Sequence, residues 1–181
     1  VVAIDGKTIR GASKCTSSHP TGNPGFKLHM VSAWATANGI SLGQLKVNEK
    51  HNEIVAIPLL LEALDLTGCL VTIDAMGCQT DIAKKKIECG ADYVLALKEN
   101  HRNLYNTVKG WFDDLDKKNI DVNKAYYATR YGKYITEEEA HGKHERRECL
   151  VYSCQALTGM LKDWKGLKAV VRISSQRTIR T

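Results

Sequence analysis

Two aspartates that follow short apolar runs are the residues best suited to chemistry. Asp5 follows residues 1–4 and Asp74 follows residues 71–73, and turn-forming residues come next. In α/β folds, ligands bind outside the carboxyl ends of the strands, where such carboxylates lie. On neighbouring strands the two could share Mg²⁺, a hard cation that prefers oxygen ligands and keeps several waters. The sequence therefore predicts a metal site at Asp5 and Asp74, for Mg²⁺ or for Mn²⁺ as its substitute.

The chemistry suited to such a site is phosphodiester displacement. Two metal ions about 3.5–4 Å apart can activate the attacking oxygen and stabilise the leaving one. A third carboxylate usually completes the set. The candidate within this chain is Glu145. The competing explanation for Asp5 is a plain turn former before Gly6.

Composition narrows the class of protein. The chain has 181 residues, of which 43% are hydrophobic and 25% charged, as in an ordinary globular domain. No apolar run approaches the roughly 20 residues of a membrane span. The six cysteines form no CxxC pair, which indicates reduced thiols in a cytoplasmic protein. The net charge of +6 is compatible with a polyanion partner such as DNA.

Periodicity and turn signals predict three strands followed by alternating helices and strands. Asn38-Gly39 is a hairpin signal, so the first three strands form an antiparallel meander. The predicted strands are residues 1–4, 27–37, 40–47, 69–73 and 93–97. The predicted helices are residues 52–65, 80–89 and 100–115.

Individual residues predict where the helices begin and end and how the strands are buried. Proline is best tolerated in the first turn of a helix, so Pro58 predicts that the regular helix begins near Ile57. Four apolar residues of the segment 52–65 fall on one helical face. Thr80 and Asn100 are the expected N-caps of the next two helices, and Gly90 suits a C-terminal cap. The strands at 69–73 and 93–97 are nearly all apolar, as expected for burial on both faces. The apolar residues of the first helix are Ile54, Ile57, Leu61 and Leu64.

This order indicates an α/β fold of the ribonuclease-H-like type, a mixed sheet with helices on both faces. That fold places its first and fourth strands side by side, which would bring Asp5 and Asp74 together. We expect residues 1–115 to form the first part of this core. Residues 116–181 read as a β-rich segment.

Basic residues in two places are candidates for DNA contact. Arg130, Lys143, Arg146 and Arg147 lie among tyrosines in the β-rich segment, a composition suited to phosphate contacts and base stacking. The alternative is a solvated hairpin surface. Lys98 follows the carboxyl end of a predicted strand and is expected to line the same cleft as the aspartates.

Six segments resemble the H-repeat-associated insertion-sequence transposases of the DDE type. The match runs through nearly the whole chain in order and spacing. The segments are residues 3–11 (AIDGKTIRG), 29–34 (HMVSAW), 52–54 (NEI), 56–58 (AIP), 71–79 (VTIDAMGCQ) and 92–100 (DYVLALKEN).

The resemblance implies Mg²⁺-dependent DNA cleavage and strand transfer at transposon ends, with Asp5 and Asp74 as the first two catalytic acids. It implies that residues 116–181 are a β-rich insertion and that completion of the core is missing beyond the C-terminus. It also implies that the third acid is a Glu after the insertion, beyond Thr181, in a His-Trp-x-Ile-Glu-Asn pattern that this sequence lacks. Glu145 would then belong to the insertion, and the chain alone would be incomplete and inactive. The implied partners are transposon-end and target DNA and, in the full-length protein, further copies of itself. The implied location is the bacterial cytoplasm, on nucleoid DNA.

Two alternatives remain open at this point. The chain could be a catalytically inactive DNA-binding remnant of a mobile element, since the third acid is absent. It could also be a ribonuclease-H-like nuclease that uses the same metal chemistry without transposon-end specificity.

Overall fold

The computed structural model describes residues 1–9, 28–47, 53–118, 131–140, 143–153 and 161–179. Arg130 lies outside these ranges, as does much of the segment that contains the basic residues and tyrosines. The chain divides into two compact units. The first contains Val1–Asn100 with Asp163–Gly166, and the second contains His101–Lys162 with Leu167–Thr181.

The first unit is built on a mixed sheet of five strands. The strands are β1 Val2–Ile9, β2 Leu28–Ala35, β3 Ile40–Val47, β4 Leu70–Ile73 and β5 Asp92–Leu95. Their order is β3-β2-β1-β4-β5. β1, β2 and β3 form the predicted antiparallel meander, whereas β4 pairs in parallel with β1 and with β5. The predicted adjacency of the first and fourth strands is therefore confirmed.

The hairpin between β2 and β3 turns at the predicted dipeptide. Gly39 has a φ of 65°, in the left-handed region that glycine adopts without a steric penalty. Its N–H donates to the carbonyl of Ala35 over 2.9 Å. This turn fixes the register in which β3 returns along β2.

One face of the five-stranded sheet carries the buried core of the first unit. Alternate residues of β1, β2 and β4 join helix residues in a single buried cluster. On the opposite face Trp34 is 45% exposed, Leu70 37% and Val94 53%. The predicted burial of β4 and β5 on both faces is therefore wrong at Leu70 and Val94, whereas helices on both sides of the sheet stay a prediction. An apolar run alone does not distinguish a doubly buried strand from one with an exposed apolar face.

The first helix, α1, spans Glu53–Glu62 and contains Pro58 in its interior. It begins four residues before Ile57, the predicted start. Proline removes one helical hydrogen bond, but burial of four apolar side chains offsets that cost. Ile54, predicted on the buried face, is 39% exposed. The buried apolar residues are Ala56, Ile57, Leu60 and Leu61.

The second helix, α2, spans Thr80–Glu88. Its N-cap is Gln79, without a side-chain hydrogen bond, so the prediction of Thr80 as the cap is wrong by one residue. Gly90 lies just beyond the helix with a φ of 73°. It thus provides the left-handed residue expected after a helix C-terminus.

A short segment from late in the chain completes the first unit. The hydroxyl of Tyr93 on β5 donates to the carbonyl of Lys165 over 3.0 Å. The Lys165 ammonium lies 3.7 Å from the Glu88 carboxylate at the end of α2. Trp164 is buried. These contacts explain why Asp163–Gly166 groups with the first unit.

Lys86 on α2 is the most unusual core residue. Its side chain is completely buried, and Nζ has no hydrogen-bond partner among the described residues. The Nζ atom lies 5.7 Å from the ring centroid of Tyr93, and Cys78 is the thiol that interacts with it electrostatically. Burial lowers the pKa of the Lys86 amine to about 7, because the charged form loses its hydration.

The described residues of the second unit form one helix and a three-stranded antiparallel sheet in the order β6-β7-β8. The elements are α3 Arg102–Lys117, β6 Tyr131–Ala140, β7 Lys143–Ser153 and β8 Ala169–Ile179. The Arg172 guanidinium on β8 donates to both carboxylate oxygens of Asp116 on α3, over 2.7 and 3.0 Å, and lies over the Phe112 ring. This pair ties the helix to the sheet. It also lowers the pKa of the Asp116 carboxyl.

We predict that Lys86→Met raises the free energy of unfolding at pH 7 by roughly 2–4 kcal/mol. The unfolded chain holds the Lys86 proton up to its ordinary pKa of 10.5, whereas the folded chain releases it near 7. Wild-type stability should therefore rise with pH between those two values, and the variant should lack this part of the rise.

The measurement is urea denaturation at pH 6.5, 8 and 9.5. Lys84→Met, at an exposed position on the same helix, is the matched control and should change stability little. A Lys86→Met protein less stable than the wild type at every pH would contradict the prediction.

Candidate metal and nucleic-acid site

The parallel pairing of β1 and β4 places the two predicted acids at corresponding positions. The register pairs Val2 with Val71 and ends with Ile4 opposite Ile73. Asp5 is the next residue of β1, and Asp74 directly follows β4. Both are exposed. They thus lie at the carboxyl end of the parallel pair, the edge where α/β sheets bind ligands.

The two aspartates have different backbone surroundings. β1 continues through Asp5, which pairs with Ser32 of β2, so Asp5 is a strand residue and not the predicted bend. Asp74 ends β4 and caps a single 3-10 turn, Ala75–Gly77. Its Oδ1 atom accepts from the Met76 N–H over 3.1 Å. This bond fixes the Asp74 side chain at the mouth of the turn.

Asn100, which follows β5 in the chain, forms a hydrogen bond to the turn after Asp74. Its Nδ2 atom donates to the carbonyl of Ala75 over 2.7 Å, in a partly buried position. The prediction that Asn100 caps α3 is wrong, because His101 occupies the cap position without a side-chain bond. The Asn100 amide instead fixes the residue directly after Asp74.

Glu53, the first residue of α1, lies against Gly6, the residue after Asp5. It is 9% exposed. A Cβ added at Gly6 would be 2.5 Å from the Glu53 Cδ atom, so the carboxylate lies directly against the Gly6 backbone. Its burial could not be read from the sequence, because a Glu at a helix N-terminus is ordinarily an exposed partner of the helix dipole.

The donor chemistry of the two aspartates fits a divalent cation. Mg²⁺ is commonly bound through one or two carboxylates plus waters and substrate phosphates. No group of three His, Cys, Asp or Glu side chains in the described ranges is arranged to hold a metal. Asp5 and Asp74 thus present two exposed carboxylates at the same end of the β1–β4 ladder.

The predicted DNA-contacting arginines of β7 are already engaged by acids. Arg146 lies 3.4 Å from Glu137 and 3.3 Å from Glu148. Arg147 lies 3.7 Å from Glu138 and 3.1 Å from Glu145. Pairing of β6 with β7 brings Glu137 and Glu138 beside these arginines, whereas Glu145 and Glu148 lie two residues away on β7 itself.

Glu145, the candidate third acid within this chain, lies in the same network. Its two carboxylate oxygens accept from Arg147 and from Arg177 over 3.1 and 3.2 Å. The Arg177 hydrogen bond, followed by the charges of both arginines, lowers the pKa of the Glu145 carboxyl. The structure thus gives this carboxylate a role in ion pairing within the three-stranded sheet.

The two predicted lysines are exposed. Lys98 follows β5, at the same end of the sheet as Asp74, and Lys143 begins β7. Neither forms an ion pair with another described residue. Exposed lysines of this kind can contact phosphates without first losing an internal partner.

The chain matches the family described as the transposase DDE domain over residues 1–178. It belongs to that family. "Putative transposase YncI" of Escherichia coli (strain K12) is 43% identical over 147 residues, which are 81% of this chain and 53% of the relative. "H repeat-associated putative transposase YhhI" of the same organism is 36% identical over 180 residues, 99% of this chain and 44% of the relative. The resemblance to H-repeat-associated transposases is thereby confirmed.

The chain spans about half the length of the curated relatives it matches, between 40% and 55%. Among solved structures it is similar to a piggyBac transposase seen by cryo-electron microscopy in a synaptic complex with hairpin DNA. That likeness has a TM-score of 0.44 and 11% sequence identity, over 95% of this chain and 32% of the other. Within the described ranges, none of the helices has the length and apolar character needed to cross a membrane.

We predict that Asn100→Ala loosens the turn after Asp74 without unfolding the first unit. Losing this hydrogen bond should cost about 1 kcal/mol. The Gly77 and Cys78 amides, which donate to carbonyls within the same turn, should exchange with deuterium about fivefold faster. Amide exchange followed by NMR measures this effect. Asn106→Ala, at an exposed position on α3, is the control and should leave both rates unchanged.

Proposed function

We propose that this chain forms part of the catalytic domain of a DDE transposase, which cleaves and transfers DNA strands at insertion-sequence ends. The supporting observation is the parallel β1–β4 register, which ends at Ile4 and Ile73 and so aligns Asp5 with Asp74. Membership of the transposase DDE domain family supports the reaction class.

In this proposal Asp5 and Asp74 are the metal ligands. When bound there, Mg²⁺ would favour attack on a DNA phosphodiester and stabilise the leaving oxygen. Asp5 is fixed by its place in β1, and Asp74 is fixed by the Met76 N–H. Asn100 restrains the same turn through Ala75. The protein thus contributes preorganised ligand positions, which reduces the reorganisation required during reaction.

The finer features of the fold are part of the same proposal. The five-stranded order with parallel β1 and β4 supports a ribonuclease-H-like core, for which we propose residues 1–115 as the first part. We propose residues 116–181 as a β-rich insertion, although α3 groups structurally with the second unit. The engagement of Glu145 by two arginines argues against it as the third catalytic acid.

DNA is the proposed partner, both as insertion-sequence end and as target. The net charge of +6 and the exposed Lys98 and Lys143 suit contact with phosphates. Self-association of the full-length protein would allow two ends to be handled together. The reaction would take place on nucleoid DNA in the cytoplasm.

We predict that the wild-type chain binds Mn²⁺ and that Asp5→Asn or Asp74→Asn each weakens this binding at least about tenfold. Each substitution replaces an anionic ligand by a neutral amide, which holds a hard dication more weakly. Isothermal titration with Mn²⁺, supported by electron paramagnetic resonance, measures the affinity.

Two control variants test whether Mn²⁺ binding depends on Asp5 and Asp74 or on exposed carboxylates in general. Asp81→Asn removes an exposed carboxylate from α2, and Glu145→Gln removes the other candidate acid. Both should bind Mn²⁺ as the wild type does. Equal binding by Asp74→Asn and the wild type would reject the metal site and favour the alternative of an inactive DNA-binding remnant.

We predict that Lys143→Ala weakens binding to duplex DNA more than Arg146→Ala does. Lys143 is exposed, whereas Arg146 already has two acidic partners. Loss of one phosphate contact should reduce the slope of log affinity against log salt by about 0.9. Fluorescence anisotropy at several salt concentrations measures both values. A larger loss for Arg146→Ala would show that its ion pairs open on DNA.

A further inference from the structure

We infer that Lys7 is a phosphate-binding residue of the Asp5–Asp74 site, whose ammonium holds a DNA phosphate next to the one engaged at the two aspartates. This inference rests on the proposed metal function. It names a residue through which the same site would recognise its DNA substrate. Lys7 is exposed and lies two residues after Asp5 on β1.

The first step is the face of the sheet on which Lys7 lies. Ile4 belongs to the buried core cluster, so the even-numbered residues of β1 face the helices. Gly6 continues this pattern, since a Cβ added there would meet the Glu53 side chain of α1. Because side chains alternate along a strand, Asp5 and Lys7 lie together on the opposite face. Two residues of a strand span only about 6.6 Å, so the two side chains are neighbours.

The second step is the orientation of Asp74. Ile73, the residue before it, belongs to the buried core cluster. The backbone at Asp74 is extended, with a φ of −66° and a ψ of −179°, so its side chain is directed away from the core face. Asp5 and Asp74 therefore present their carboxylates on the face that carries Lys7. Their strands are neighbours, at a spacing of about 4.8 Å.

The third step is the end of the β1–β4 ladder. β4 pairs with β1 only as far as Ile4, whereas β1 continues to Ile9. In the described ranges, the part of β1 that contains Lys7 has β2 as its one paired strand. A DNA backbone that reaches the two aspartates can therefore continue past Lys7 without meeting β4.

The fourth step is electrostatic. Lys7 forms no ion pair with another residue of the described ranges, so a phosphate would not have to displace an acid from it. The two aspartates alone would repel a DNA backbone, because like charges at this range raise the energy. A cation on the same face attracts the neighbouring phosphate instead. The lysine ammonium offers three donors on a flexible stem, which suits a phosphate whose orientation is not fixed in advance.

The test measures binding of a short fluorescein-labelled DNA duplex by fluorescence anisotropy, with and without Mn²⁺. With Mn²⁺, Lys7→Ala should weaken binding about tenfold, the loss expected when a charge-assisted hydrogen bond to a phosphate is removed. Without Mn²⁺ the loss should be smaller, because the duplex is then not held at the aspartates. Lys7→Arg keeps the cation and should bind more tightly than Lys7→Ala does.

Lys46→Ala is the matched control. Met30 of β2 pairs with Lys7 on one side and with Lys46 of β3 on the other, so both lysines lie in one cross-strand row on one face. Lys46 is two strands, or about 10 Å, farther from β4. Its replacement should weaken duplex binding less than Lys7→Ala does, and equally with and without Mn²⁺.

Titration calorimetry with Mn²⁺ alone distinguishes this inference from the metal site itself. Lys7→Ala should bind Mn²⁺ at least as tightly as the wild type, because a positive charge near the dication is removed. If that variant binds Mn²⁺ and also binds the duplex as the wild type does, the inference is overturned and the metal site stands. Greater aggregation of the same variant would then assign Lys7 to protection of the unpaired strand edge.

Two further results would also contradict the inference. A loss of duplex affinity in Lys7→Ala that is equal with and without Mn²⁺ would place Lys7 outside the site. Absence of Mn²⁺ binding by the wild type would overturn the metal site and the inference together.

Discussion

The parallel pairing of β1 with β4 is the constraint on which the candidate site depends. The two strands are separated in sequence by the β2–β3 hairpin and α1, so only the sheet brings them together. Their shared ladder is short and ends at Ile4 and Ile73. Because side chains in a ladder alternate in register, a slip of one residue would turn one of the aspartates to the other face. The burial of Val2, Ile4, Val71 and Ile73 against the helices penalises that slip.

The short turn after β4 is held by several different contacts. Asp74 caps it locally, Asn100 bonds to it from beyond β5, and α1 packs against Gly77. Each hydrogen bond contributes only about 1 kcal/mol, but together they restrict one loop to one conformation. A carboxylate at the end of a strand is useful as a ligand only if its position is fixed in advance. The fold provides this rigidity at Asp74 through neighbours from three separate elements.

The second unit shows why basic residues alone do not define a DNA-binding surface. Arg146, Arg147 and Arg177 form ion pairs with acids of the three-stranded sheet, so their charges are largely compensated. Most of these pairs are partly exposed, and their contribution to stability is small. Their larger consequence is for function, because a DNA phosphate would have to compete with these carboxylates. The exposed lysines face no such competition.

The sequence by itself determined the order of the elements, the hairpin at Asn38-Gly39, the two acids and the family. These follow from signals among neighbouring residues: a glycine suited to positive φ, apolar runs followed by Asp, and short sequence motifs. Only the tertiary structure decided that Asn100 bonds to the Asp74 turn, that Glu53 lies against Gly6, and that Leu70 and Val94 are exposed. It also showed that Pro58 lies inside α1 and that Lys86 is buried. The physical reason is that burial and partner choice depend on residues far apart in the chain, whose packing outweighs local preference.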